Sequence, residues 1–146
     1  MTTLTVTTER VPPGADGSGL LVLRVAGEID LASGGEVREQ VHRAVAGGCR
    51  SIVLDLGAVR FCDSSGVGVL IGARRLLRSC AGELRLVLPD ARVSGDAPDG
   101  GGCAEVHRVF NALGIRRLFD IHPDPASAVA AAAASATAAR TLSTAQ

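Results

Sequence analysis

Asp63, Ser64, Ser65 and Gly66 stand where an aliphatic run ends and a helical period begins, and these residue types in this order can do chemistry at a surface. Asp and Ser both cap helix N-termini by accepting hydrogen bonds from first-turn amides. Gly66 and Gly68 keep that turn clear of bulky side chains. A helix opening this way presents unpaired N–H groups and the positive end of its macrodipole, a combination that tolerates an anion, including a phosphate ester on Ser64. Two readings of the four residues stand side by side: a cap at Asp63 or Ser64, and a modifiable serine at an anion-tolerant helix end.

Other chemistry finds little support. A Cys-based phosphatase loop would need Arg six residues after the cysteine, and Gly68 occupies that position after Cys62; Cys80 and Cys103 fail the same test. No G-x-S-x-G elbow surrounds Ser64 or Ser65, and His42, His107 and His122 fall in ordinary solvated helix or turn contexts. All 15 basic residues are Arg, which removes a P-loop or Schiff-base lysine. Cys49, Cys62, Cys80 and Cys103 are widely spaced, without a C-x-x-C pair or nearby His, and read as free reduced thiols. No metal site, no cofactor and no enzymatic activity are expected.

The elements that must position the serines are legible from period and punctuation. Thr2 to Thr8 alternates and Leu20 to Val25 is aliphatic, so two strands form a hairpin at a sheet edge across the turn from Pro12 to Gly17. After Gly27, Glu28, Ile29 and Asp30, the spacing of Val37, Val41, Ala44 and Val45 predicts a helix that Gly47 and Gly48 stop. Ser51 to Leu56 reads as a buried strand. From Ser64 to Ser79 a helix places Val67, Leu70, Ile71 and Leu77 on one face, with Arg74, Arg75 and Arg78 toward its C-terminal end. A strand over Glu83 to Leu88 follows, then a turn-rich loop between Pro89 and Gly102. Val106, Val109, Phe110 and Leu113 space as a helix ending at Gly114; a short strand near Leu118 to Ile121 and a helix from Pro125 into Ala130 to Ala134 complete the chain, with residues beyond Arg140 frayed. The β-β-α-β-α-β-α-β-α order predicts an α/β fold with helices packed on one sheet.

Length and composition agree with one compact core. The chain has 146 residues, 47% hydrophobic and 21% charged, with aromatics at only 2%, so Leu, Val, Ile and Ala must build the interior. Fifteen basic residues balance fifteen acidic ones and the only basic runs are short Arg pairs, which argues against nucleic-acid binding. No signal-like start and no membrane-length apolar stretch are seen, so a cytoplasmic protein that does not engage a membrane is expected.

The stretch from Ile52 to Gly72 resembles the STAS family, specifically the single-domain bacterial anti-sigma factor antagonists. It supplies Leu54, Asp55, Leu56, Val59 and Phe61, then Asp63, Ser64, Ser65 and Gly66, then Val67, Gly68, Val69 and Leu70. Upstream, Gly27, Glu28, Ile29 and Asp30 match the family's Gly-Glu-Leu/Ile-Asp element, and downstream the segment from Asn111 to Phe119 extends the likeness. The resemblance implies a STAS-like mixed sheet of about five strands with about four helices, one domain over 1–140 interrupted by a loop insertion at 94–102, and a disordered tail over 141–146. It departs from the family at Cys62, where Met or Leu is usual, and at the insertion. By the same resemblance Ser64 is the phosphoacceptor, with Ser65 the second candidate, and Asp30, Asp63, Ser64, Ser65, Gly66 and Gly68 contact a partner. For Asp30 a plain turn or helix-cap role stands beside the partner contact. The implied partner is an anti-sigma factor that is also a serine kinase, bound by the unmodified form and released after phosphorylation, with a phosphatase to reset the switch. A STAS scaffold or ligand-binding module without kinase control is the alternative.

Overall fold

The computed structural model describes residues 4–11, 20–30, 32–89 and 102–144, with backbone alone for 11, 102–105 and 135–144. Strands β1 (Leu4–Val11) and β2 (Leu20–Ile29) lead into α1 (Gly34–Ala46), β3 (Ser51–Cys62), α2 (Ser64–Ser79) and β4 (Glu83–Val87). Helix α3 (Gly102–Leu113), a 3-10 turn at Arg116–Leu118, β5 (Asp120–His122) and α4 (Pro125–Thr144) follow. The five strands form one sheet in the order β1-β2-β3-β4-β5. β1 runs antiparallel to β2 at the edge, and the other neighbours are parallel. This is the mixed five-stranded sheet with four helices that the sequence predicts.

Strand alternation divides the sheet into two faces. On one, Leu21, Leu23, Val25, Ile52, Leu54, Leu56, Leu84 and Leu86 pack with Val37 and Val41 of α1, Leu70 and Leu77 of α2, and Val106 and Phe110 of α3. Val22, Val53 and Val87 point the other way and meet Ala128 of α4. Burial on both faces is why β3 opens with the run Ile52, Val53, Leu54 rather than a polar alternation. The scarce aromatics are concentrated: Phe110 and Phe119 stack with ring centroids 6.0 Å apart.

Two expectations are corrected. β3 does not end at Leu56 but continues to Cys62 alongside β2. Pairing steps from Arg24↔Asp55 to Ala26↔Ala58 and from Gly27↔Val59 to Glu28↔Phe61, so β3 carries an extra residue at each shift. Such bulges break the two-residue period on which a strand is recognised. The Gly57 amide donates to Asp55 Oδ1 at 2.9 Å near the first shift, and Gly27 takes φ 108° beside the second. That left-handed backbone explains a glycine at the head of the Gly27 to Asp30 element.

The last strand is displaced from Leu118–Ile121 to Asp120–His122, because Leu118 belongs to the 3-10 turn that swings between the buried Ile115 and Phe119. Only pairing with β4, Arg85↔Asp120 to Val87↔His122, defines so short a strand. The turn at 12–17 lies outside the described residues, as does the expected insertion at 94–102 up to Gly102, where α3 begins. Of the tail expected over 141–146, residues 141–144 are helical backbone within α4.

Candidate functional site

Parallel pairing of Ile29 with Cys62 ends β2 and β3 side by side, so the residues that follow each strand, Asp30 and Asp63, emerge at the same edge of the sheet. The Asp63 amide donates back to the Ile29 carbonyl at 3.3 Å, tying the two strand ends together. Carboxyl ends of parallel strands are where α/β folds place their functional groups.

Asp63 resolves which residue caps α2. Its backbone is extended (φ −93°, ψ −174°) and its Oδ1 accepts from the Gly66 amide at 2.9 Å, while its carbonyl accepts from Val67 at 3.0 Å. Ser64 is therefore the first residue of the helix, exposed, with its hydroxyl not used as the cap. Its own amide and that of Ser65 are first-turn donors with no intrahelical acceptor, so α2 opens with unpaired N–H groups at the positive end of its macrodipole. Ser65 is half-buried.

The two glycines grouped together on sequence differ in what they do. A Cβ on Gly66 would lie 2.6 Å from the Ile29 carbonyl oxygen, 2.8 Å from Cys62 Sγ and 2.8 Å from Ile29 Cγ2, so a side chain there is excluded by the strand ends. Gly68 faces open space and is exposed. Gly66 thus seats the helix on the sheet, and Gly68 adds no side chain to the exposed surface four residues beyond Ser64.

Asp30 is held at the entry to α1 by an interlocked set of bonds. Its Oδ1 accepts from the Ala32 amide (3.0 Å), the Ser33 amide (2.9 Å) and the Ser33 hydroxyl (2.9 Å), while its own amide donates to Ser33 Oγ at 3.1 Å. The Ser33 backbone bond, then its hydroxyl, and to a lesser degree the Ala32 amide hold the Asp30 carboxyl below the usual carboxylate range. Between the two roles open for Asp30, this geometry supplies the structural one: it organises the turn into α1. Ser33 was not singled out from sequence, although Asp30-x-x-Ser33 spacing is the signal of such reciprocal capping.

Cys62, at the end of β3 and close against Gly66, is 1% exposed, and burial followed by the neighbouring Asp63 charge pushes its thiol up to about 12. A thiol held protonated is no nucleophile. Phe61, on the strand leading to the site, is an apolar side chain 40% exposed, three residues before the exposed Ser64. Its signal in the sequence is its position two residues before Asp63 in a chain with three Phe and no Trp or Tyr. Among the described residues no cluster of three or more His, Cys, Asp or Glu is arranged for a metal, and no helix is long and apolar enough to cross a membrane.

A family model described as the STAS domain matches residues 10–96. The anti-sigma F factor antagonist of Paenibacillus polymyxa is 30% identical over 112 residues, covering 76% of this chain and 85% of that protein. Among solved structures, an anti-sigma factor antagonist from Mycobacterium paratuberculosis has a TM-score of 0.66 at 24% identity, covering 89% of this chain and 94% of its own. SpoIIAA, a Bacillus cell fate determinant, in its unphosphorylated form has a TM-score of 0.62 at 22% identity, covering 86% and 93%. At these identities the structural likenesses concern the fold.

Proposed function

This chain belongs to the STAS domain family, and from that premise we propose that it is an anti-sigma factor antagonist switched by phosphorylation of Ser64. The unmodified form binds an anti-sigma factor that is also a serine kinase, which frees a sigma factor; phosphate on Ser64 ends the complex, and a phosphatase restores it. The observation that carries this reading is an exposed serine at the first position of α2, directly after an Asp that already serves as the cap. The Paenibacillus polymyxa relative, matched over 76% of this chain, bears the name of an anti-sigma F factor antagonist, and SpoIIAA has been solved in both unphosphorylated and phosphorylated forms.

The electrostatics of the switch follow from where the charge would sit. A phosphate adds about −1.5 to −2 charges beside the Asp63 carboxylate, and within a partner interface that crowding and its desolvation oppose binding. The fold tolerates it, since the free first-turn amides and the macrodipole stabilise an anion there. Asp30, Asp63, Ser65, Gly66 and Gly68 frame the contact surface, Gly68 by adding no side chain to it and Gly66 by letting the helix end sit close on the strand ends. Such a protein acts in the cytoplasm as a binding module, not a catalyst. In this proposal residues 1–140 form one domain, with 94–102 as a surface insertion.

Phosphosite mapping and calorimetry with the cognate kinase test the proposal. Ser64→Ala retains fold and binding and takes up no phosphate; Ser64→Asp folds normally and binds at least about tenfold more weakly, the scale of a like-charge contact in an interface. Phosphate found only on Ser65, or an acidic variant that binds as tightly as wild type, refutes Ser64 as the switch.

A further inference from the structure

The edge of the sheet that carries Asp30 and Ser64 also holds, at the ends of β4 and β5, an open cleft of about 390 Å³. Leu88 and Ile121 line it together with His107, Asn111, Arg116 and His122. That volume falls within the roughly 300–1,000 Å³ of small-molecule sites, which combine apolar walls with a few placed polar groups. The site lies apart from the serines and owes nothing to the phosphorylation reading.

Its polar groups are fixed in a definite order. His107 Nε2 lies 2.7 Å from the Pro89 carbonyl oxygen, so in the neutral imidazole this nitrogen carries the proton and donates. Nδ1 is then an acceptor, and Arg116 donates to it from NH1 at 3.0 Å. The guanidinium is thereby positioned by a ring nitrogen instead of a carboxylate, and among the described residues it forms no ion pair. Its positive charge stays over the cleft. Asp120, the carboxylate on β5, forms an ion pair with Arg85, whose Nε is 3.1 Å away, and lies at the same distance from His122 Nε2 without hydrogen-bond geometry to either nitrogen. Asn111, one helical turn beyond His107, is exposed and adds amide donors.

We propose that this cleft binds a small oxyanion, the phosphate or carboxylate group of a low-molecular-weight ligand, with Arg116 as its principal donor and Asn111 beside it. A guanidinium fork matches such groups with two parallel hydrogen bonds, and its orientation by His107 removes part of the ordering entropy before the ligand arrives. The apolar walls from Leu88 and Ile121 then receive the body of the ligand.

The test titrates the full chain with inorganic phosphate and, separately, with acetate, at ionic strength held constant with sodium chloride, following amide resonances by NMR. Saturable shifts are expected at His107, Asn111, Arg116 and Ile121, and Arg116→Gln weakens binding by about tenfold or more, the scale of a charge-assisted hydrogen bond. Arg38→Gln, in the α1–α2 groove whose lining shares no residue with this cleft, binds as wild type. Saturation by phosphate alone identifies a phosphate-bearing ligand and saturation by acetate alone a carboxylate-bearing one. The proposal is overturned if neither anion saturates, if Arg116→Gln binds as tightly as wild type while keeping its native spectrum, or if Arg38→Gln loses as much as Arg116→Gln.

Discussion

Replacing Gly66 by Ala adds one methyl group at the point where α2 meets the ends of β2 and β3. That carbon would sit 2.6 Å from the Ile29 carbonyl oxygen and 2.8 Å from Cys62 Sγ. Neither neighbour is the loose end of a flexible side chain: the first is backbone, and the second belongs to a side chain 1% exposed. The helix end must lift, straining the Asp63 amide bond to Ile29 and the Asp63 cap on Gly66. Overpacking of a tight interior costs about 1–3 kcal/mol, and rigid neighbours place this site toward the upper end. Ala also improves helix propensity over Gly by about 0.8–1 kcal/mol, so the net loss is about 2 kcal/mol. For a chain of this size that lowers the melting temperature by about 4–8 °C. Gly68→Ala supplies the internal control, since its Cβ meets nothing within 4 Å: it keeps only the propensity gain and is neutral to about 1 kcal/mol more stable. Urea unfolding of both variants, with slopes matching wild type, measures the difference. If Gly66→Ala is as stable as wild type, or if both substitutions destabilise equally, close seating of the helix on the strand ends is not what Gly66 provides.

Three further outcomes follow from the same geometry. The Asp30 carboxyl titrates below the usual carboxylate range; a depressed folded-state pKa means its contribution to stability is present above the unfolded value and lost as pH falls through the folded one. Carbonyl-detected NMR on Ser33→Ala should show that titration moving up toward the ordinary range, and an unchanged midpoint would refute the bonding scheme. Cys62 in the folded protein resists iodoacetamide at pH 8, its thiol being pushed up to about 12, and reacts once urea exposes it; peptide mapping that finds Cys62 modified before the half-buried Cys49 and Cys80 would contradict this. Arg85→Met, at a guanidinium 8% exposed whose Glu83 and Asp120 partners are 49% and 54% exposed, changes stability by less than about 1.5 kcal/mol by urea unfolding, because both carboxylates rehydrate when the cation leaves; a loss of about 3 kcal/mol or more would mean that the ion pairs hold the sheet edge.

Hydrophobic period and glycine punctuation are local signals, so the order of elements and the α/β class are legible in the residues alone. Val37, Val41 and Ala44 mark the buried side of α1, and Val67, Leu70 and Leu77 that of α2, as the helical spacing requires. The motif from Asp63 to Gly66 also stood out as a helix opening. What it could not assign was the division of labour within that motif, since Asp63 and Ser64 are equally able caps by residue type. Only tertiary structure gave the cap to Asp63, left Ser64 exposed, and distinguished a glycine jammed against Ile29 and Cys62 from one facing solvent. The same holds for the prolonged β3, whose two register shifts erase the period that would reveal it, and for β5, three residues long and defined by pairing with β4. The His107 and Arg116 pair lies nine residues apart and turns toward Pro89, 18 residues before His107, so its relation to a cleft appears only when β4, α3 and β5 are brought together. Contacts between residues distant in the chain are set by packing, and no local pattern of residue types encodes them.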